Sequence, residues 1–261
     1  MVAGCGLVLV PGATFTMGDS SKTSAAPPQP LITVTGFALD RYEVTVARFR
    51  RFWDGGRDAP SGPIRYPNGT SLPWTGPIVE PTRTITSATC NWAADPGAFE
   101  NHPINCVDWQ TAQAFCVWDG GRLPTEAEWE LAARGTDNRL LPWGSAPVGQ
   151  QTCWEFYRPS PTRTCPEDDA AWAAGESPYG ARHMIGNVLE WVADYYALYG
   201  DTMQWGGVPR MNPVASISVS GSRTLRGGAW TSDLLQNLMT VSRGGGNPVN
   251  LRDFAGFRCA R

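Results

Sequence analysis

Arg223-Thr-Leu-Arg-Gly-Gly-Ala-Trp230, running on through Arg243 to Ala255-Gly-Phe-Arg-Cys-Ala-Arg261, is the stretch on which the reading of this chain turns. Two short apolar runs enclose a long polar, turn-forming interval. Gly227-Gly228 allows a sharp turn, because glycine carries no Cβ penalty at positive φ. Gly244-Gly245-Gly246-Asn247-Pro248 is a loop by composition, and Phe254 to Cys259 reads as a closing strand. A polar loop set just before a core strand rests on a rigid frame, and function is commonly carried on such loops. The candidate binding face is therefore Trp230, Ser232, Asp233, Gln236, Asn237, Arg243, Asn247, Asn250 and Arg252, with Ser242 and Asp253 beside it. Polar groups converging near aromatic rings are how selective pockets are built; the bland alternative is a solvated loop.

With 261 residues, the chain can form one large domain or two small ones around a sizeable core. Charged residues are 17%, while Gly (29) and Pro (22) are abundant, which favours short elements joined by loops over a helical bundle. Net charge is −3 with no run of Lys or Arg, so nucleic acid is not an expected partner. No stretch of about 18 apolar residues is present to span a bilayer. Of the seven cysteines none forms a CxxC pair, and there are two histidines, so a zinc site is not expected. Disulfides are the better reading, and they imply an exported protein. The odd cysteine has a candidate role. Val2-Ala3-Gly4-Cys5 has the shape of a lipobox end, which makes residues 1–6 a trimmed leader or anchor with membrane attachment through lipidated Cys5. Residues 7–261 then form one domain, expected to be a monomer; a free thiol at Cys5 is the plain alternative.

Along the chain, Leu7–Val10 and Thr14–Gly18 read as strands across a Pro11-Gly12 turn, and the alternating run from Leu31 to Asp40 as one half-buried strand. Thr45 caps a helix carrying Val46, Phe49, Phe52 and Trp53 on one face. Residues 54 to 100 are irregular and need a cross-link or packing to hold them. Asp108 caps a helix to about Trp118. Thr125 and Glu128 form a capping box for a helix ending at Gly135. Arg122, Glu126 and Glu128 are read as bracing that helix, ahead of acid–base work. Gly186 to Trp191 opens a further compact element, and Tyr195 to Ser220 reads as loop.

Met17-Gly18, Tyr42-Glu-Val-Thr45, His102-Pro-Ile-Asn, Arg122-Leu-Pro-Thr-Glu-Ala-Glu-Trp-Glu130, Pro142-Trp-Gly144, Gly186-Asn-Val-Leu-Glu-Trp191, Arg226-Gly-Gly-Ala-Trp230 and Gly256-Phe-Arg258, in this order, resemble the formylglycine-generating enzyme (sulfatase-modifying factor) superfamily over nearly the whole chain. The resemblance implies an α+β, C-type-lectin-like fold with little regular structure, a small twisted antiparallel sheet and flanking helices. It also implies an oxidase using oxygen and copper(I) held by two cysteines shortly after the Arg-Gly-Gly motif. Those positions are Ser232 and Asn237 here. A hydroxyl and an amide do not replace soft thiolates, so no copper is expected and no catalytic residue is assigned. An iron-dependent branch uses histidines of an added helical domain, which His102 and His183 do not supply.

The family also pairs the cysteine of the Ala-x-Cys-x-Trp helix with one in the terminal strand, which maps onto Cys116–Cys259. A second family bridge would need cysteines near Ala133 and Thr240, and neither is present. By elimination and spacing, Cys90–Cys106 and Cys153–Cys165 follow, each contributing roughly 2–4 kcal/mol. The resemblance places calcium at the carbonyls of Gly186 and Val188 and the carboxylate of Glu190, oxygen ligands suited to that ion. The family's side-chain oxygen three residues before the glycine is His183 here. Asp168 and Asp169 are carboxylates nearby without a fixed register. The leading expectation is an exported, non-oxidase binding or accessory module, acting on an unknown protein or small-molecule ligand through the 226–258 surface. The alternatives are a formylglycine-generating oxidase acting on sulfatase cysteines, or a variable ligand-binding protein of the diversity-generating-retroelement type.

Overall fold

Among the described residues, three α-helices form where the capping chemistry starts them. In the computed structural model α1 spans Val46–Asp54, α2 Trp109–Trp118 and α3 Glu126–Arg134. Thr45 Oγ1 accepts from the Arg48 amide, and Asp108 Oδ1 from the Thr111 amide at 2.8 Å. Thr125 and Glu128 satisfy each other's backbone amides reciprocally, at 3.1 and 2.8 Å. Gly135 stops α3 with a φ of 65°, a left-handed value that glycine adopts without Cβ strain. The described residues are 6–19, 29–81, 89–155, 162–167, 170–199, 201, 210–217 and 220–261. Cys5, and with it the lipobox, and Asp168 and Asp169 lie outside them.

The strands are short. β1 (Leu7–Val10) pairs antiparallel with β4 (Phe37–Asp40), and β2 (Ala13–Met17) with β3 (Gln29–Val34). The alternating run 31–40 is therefore two strands with different partners. The break falls at Gly36, which passes so close to Gly12 that a Cβ on Gly12 would lie 2.8 Å from the Gly36 amide. β5 (Ile64–Arg65) and β6 (Ser71–Leu72) make a small ribbon. The central sheet contains β7 (Leu189–Tyr195), β8 (Arg223–Arg226), β9 (Arg243–Gly246) and β10 (Ala255–Gly256), in the order β10-β7-β8-β9, with only the β10–β7 pair parallel. The fold is α+β, with small sheets and few helices among the described residues. β7 begins inside the Gly186–Trp191 motif, and the closing strand is shorter than the Phe254–Cys259 run.

Two large apolar clusters fill most of the interior, with smaller ones beside them. One gathers Phe49, Phe52, Trp92, Trp109, Phe115, Trp191 and Phe257 around the Cys116–Cys259 bridge. The other packs Val10, Met17, Leu39, Trp129, Leu131 and Met184. Bridges Cys90–Cys106 and Cys153–Cys165 complete the set, so all six described cysteines are oxidised. Cys90–Cys106 closes onto the irregular stretch that needed a tether. Among the described residues no helix is long and apolar enough to cross a membrane.

Candidate functional site

Every residue of α3 is buried, including Glu126, Glu128, Glu130 and Arg134, so each charge must be paired in place. Arg122 takes Glu128 through two hydrogen bonds of 2.6 Å. The other two carboxylates reach across to the terminal stretch. Arg226 donates to Glu130 Oε2 at 2.5 Å, to Glu126 Oε1 at 3.3 Å and to the Thr240 carbonyl at 2.8 Å. Glu130 Oε1 accepts from the Gly18 amide at 2.6 Å and from Arg134 at 3.0 Å.

Arg243 meets Glu126 through two bonds of 2.7 Å, donates to the Ala197 carbonyl, and lies 3.9 Å over the Tyr199 ring. Burial alone would raise the Glu126 carboxyl; Arg243 and then Arg226 more than offset it and hold the group below its ordinary range. Its position in the loop places Arg243 on the binding face. Its side chain is instead fully buried, because Glu126 needs a partner there. Glu126 itself braces α3 against the end of the chain as well as starting the helix.

Anchored at both ends by Arg226 and Arg243, the intervening segment folds back sharply. Gly227 and Gly228 take φ of 96° and 73°, and a Cβ on Gly228 would lie 2.5 Å from the Asn237 carbonyl. Trp230 turns inward. Its amide donates to the Asn187 carbonyl at 2.8 Å, its indole Nε1 to the Asp253 carbonyl at 3.4 Å, and its ring packs with Trp172 against the Cys153–Cys165 bridge. It acts as a strut between the two ends of the face and leaves little surface for a ligand.

Ser232 Oγ accepts from the Ala229 amide at 3.0 Å and closes a turn. Asp233, Gln236 and Asn237 are exposed on that turn and the single 3-10 turn Leu235–Asn237. Asn247 and Asn250 are exposed on a second turn, where Asn247 Oδ1 accepts from the Val249 amide. Arg252 is half-buried with its guanidinium 5.5 Å over the Phe254 ring. Thr89 Oγ1 donates to Asp253, and Asn105 donates to the Asp253 carbonyl at 2.6 Å. The two polar turns flank β9, so about 10 Å of strand separates them.

Beneath Trp230 the Gly186–Glu190 loop carries a buried polar group that periodicity did not reveal. The Asn187 side-chain amide donates to Glu43 Oε2 and to Glu167 Oε1, both at 2.7 Å, while its Oδ1 accepts from the Cys165 amide. Burial pushes the Glu167 carboxyl up to about 7, and burial followed by the neighbouring Glu167 raises Glu43 well above its ordinary value. The only sequence signal for Glu43 was its place in Tyr42-Glu-Val-Thr45. Glu190 was expected to offer a free carboxylate to a cation, but both of its oxygens are taken. Arg258 donates to each at 2.8 Å, and Trp129 Nε1 adds a bond to Oε2 at 2.9 Å.

His183 sits at a φ of 52°, buried against Trp172, and neither ring nitrogen has a hydrogen-bond partner. Burial, then Arg258 and Arg182, depress its pKa from 6.5 to about 3. As pH falls through 6.5 the unfolded chain gains a proton that the folded site refuses until about pH 3. This group alone should cost about 1.4 kcal/mol of stability per pH unit within that window. Urea unfolding of wild type and His183→Gln at a series of pH values checks this. The wild-type curve should fall more steeply in acid, and parallel curves would refute it.

Residues 3–261 match the family described as sulfatase-modifying factor enzyme 1-like domain. The chain belongs to the sulfatase-modifying factor family. A mouse (Mus musculus) relative named formylglycine-generating enzyme is 29% identical over 97% of this chain and 74% of its own length. A second mouse relative, named inactive C-alpha-formylglycine-generating enzyme 2, is 28% identical over 97% of this chain and 85% of its own. Among solved structures, PvdO from Pseudomonas aeruginosa superposes with a TM-score of 0.67 at 22% identity, over 98% of this chain and 93% of that one. The family's small sheet and short helices are what carry the terminal stretch here.

Proposed function

We propose that this family member is an exported protein that recognises a ligand and does not oxidise one. The observation that carries the reading is the chemistry at positions 232 and 237. The Ser232 hydroxyl is engaged with the Ala229 amide, Asn237 is an exposed amide, and every described cysteine is locked in a disulfide. Copper(I) needs soft thiolate donors, and these residues do not fit it. A mouse relative bearing the word inactive in its name supports a non-oxidase role on this frame. Three disulfides support export, and lipidation of Cys5 would attach the protein to a membrane. The recognition surface is the exposed turn of Asp233, Gln236 and Asn237 together with the Asn247–Asn250 turn, carried by Trp230 and Arg243 from beneath.

The test is incubation of the purified protein with copper(I), oxygen and a Cys-x-Pro-x-Arg peptide, followed by mass spectrometry. No formylglycine is expected, and its steady production would overturn the reading. For the recognition half, binding to peptide and glycan arrays should be lost in the Asp233→Ala/Gln236→Ala/Asn237→Ala variant at unchanged melting temperature. Equal binding would remove this surface from consideration. The competing reading, an oxidase with other ligands, draws on the likeness to the mouse formylglycine-generating enzyme; stoichiometric copper or iron in the purified protein would favour it.

A further inference from the structure

We infer that Arg258 holds the Gly186–Trp191 loop in this chain as an internal cation, and that the loop takes up no calcium. Calcium takes six to eight oxygen ligands. The loop offers the carbonyls of Gly186 and Val188, but its one carboxylate is committed. Glu190 Oε1 accepts from Arg258 Nη2, and Oε2 accepts from Arg258 Nε and Trp129 Nε1. Its side chain is 1% exposed, so water cannot complete a coordination shell there. Residue 183, where an oxygen would be needed, is a neutral imidazole.

Arg258 itself is saturated. Its remaining donors go to the carbonyls of Asp40 and Arg41, both at 3.1 Å, and of Arg182 at 2.8 Å. All five guanidinium N–H groups are thereby used, on one carboxylate and three carbonyls. These are the oxygen types a hard cation would collect, gathered here from the end of β4 and the residue after it, from residue 182 and from β7. A dication placed on Glu190 would sit against a guanidinium whose departure would strip the Arg258 donors from the buried Asp40 and Arg182 carbonyls.

The measurement is thermal unfolding of the full chain in excess EDTA and in millimolar calcium, with calorimetric titration of calcium alone into EDTA-stripped protein. Coincident melting temperatures and no stoichiometric heat are expected. A site filled a hundredfold over its Kd would raise the melting temperature by roughly 5–10 °C, and such a shift, or one calcium per chain, overturns the inference. The variant His183→Asp restores an oxygen at 183. It should still bind no calcium, because Glu190 stays with Arg258; tight binding by this variant would show the clamp to be dispensable. Arg258→Lys keeps the charge but loses the fork, and should abolish slow hydrogen exchange of the Asn187 and Val188 amides. Retained protection would refute the clamp. The wild-type titration decides the matter even where the lysine variant does not fold.

Discussion

Replacing Arg226 with methionine is expected to cost about 3–5 kcal/mol of stability, or roughly 6–20 °C in melting temperature. Arg226, Glu126 and Glu130 all have fully buried side chains. The pairings with Glu130 and Glu126 outweigh the burial of the guanidinium, whose pKa is raised in the fold. Methionine fills much of the volume and can still lie against Trp129, over whose ring the guanidinium now sits at 4.9 Å. What it cannot do is meet Glu130 Oε2 and the Thr240 carbonyl. A buried carboxylate would be left one partner short, and that orphaning is the main cost. The same change in a Glu130→Gln background should cost less than in wild type, since the charge to be orphaned is gone. Denaturant titration of the four proteins closes the cycle. A loss under 1 kcal/mol on Arg226→Met alone would mean that water or Arg134 takes over the pairing, and the anchoring role given to Arg226 would fall.

The second large effect is at the bridge between α2 and the terminal strand. Converting Cys116 and Cys259 together to alanine is expected to cost about 2–5 kcal/mol. The two cysteines are 143 residues apart in sequence, against 12 for Cys153 and Cys165. If the cross-link acts by restricting the unfolded chain, the long loop should matter more than the short one, for which about 3 kcal/mol is the scale. Cys116 and Cys259 also lie fully buried among Phe115 and Phe257, so their removal leaves space in the aromatic core. Comparison of urea midpoints for the two double variants provides the check. A larger loss at Cys153–Cys165 would assign the control of stability to local packing under Trp230 and Trp172, contrary to the chain-entropy account.

The helices were legible because their signals are local. Thr45, Asp108 and the Thr125–Glu128 box each act within three residues, and Gly135 needs only its own backbone to stop α3. The motif order carried the family and the fold, and odd–even alternation carried β1, where Val8 and Val10 are buried and Leu7 and Leu9 are not. The run from 31 to 40 reads as one strand but forms two, because alternation records which face is buried and is silent on which strand is the partner. The candidate face was legible only in outline. The sequence marks where turns carry polar groups, and Asp233, Gln236, Asn237, Asn247 and Asn250 are exposed there.

What the chain alone determined, then, was everything whose cause lies within a turn or two of backbone: helix starts and stops, strand faces, the run of motifs, and the lack of thiols at 232 and 237. Tertiary structure alone decided where each buried charge goes. Arg243 finds Glu126 across 117 residues, Arg258 finds Glu190 across 68, and Asn187 joins Glu43 to a Glu167 that nothing nearby announces. The physical reason is that an ion or amide taken out of water must be met by a group of opposite character wherever the fold can bring one. That partner is chosen by packing in three dimensions, so no spacing along the chain encodes it.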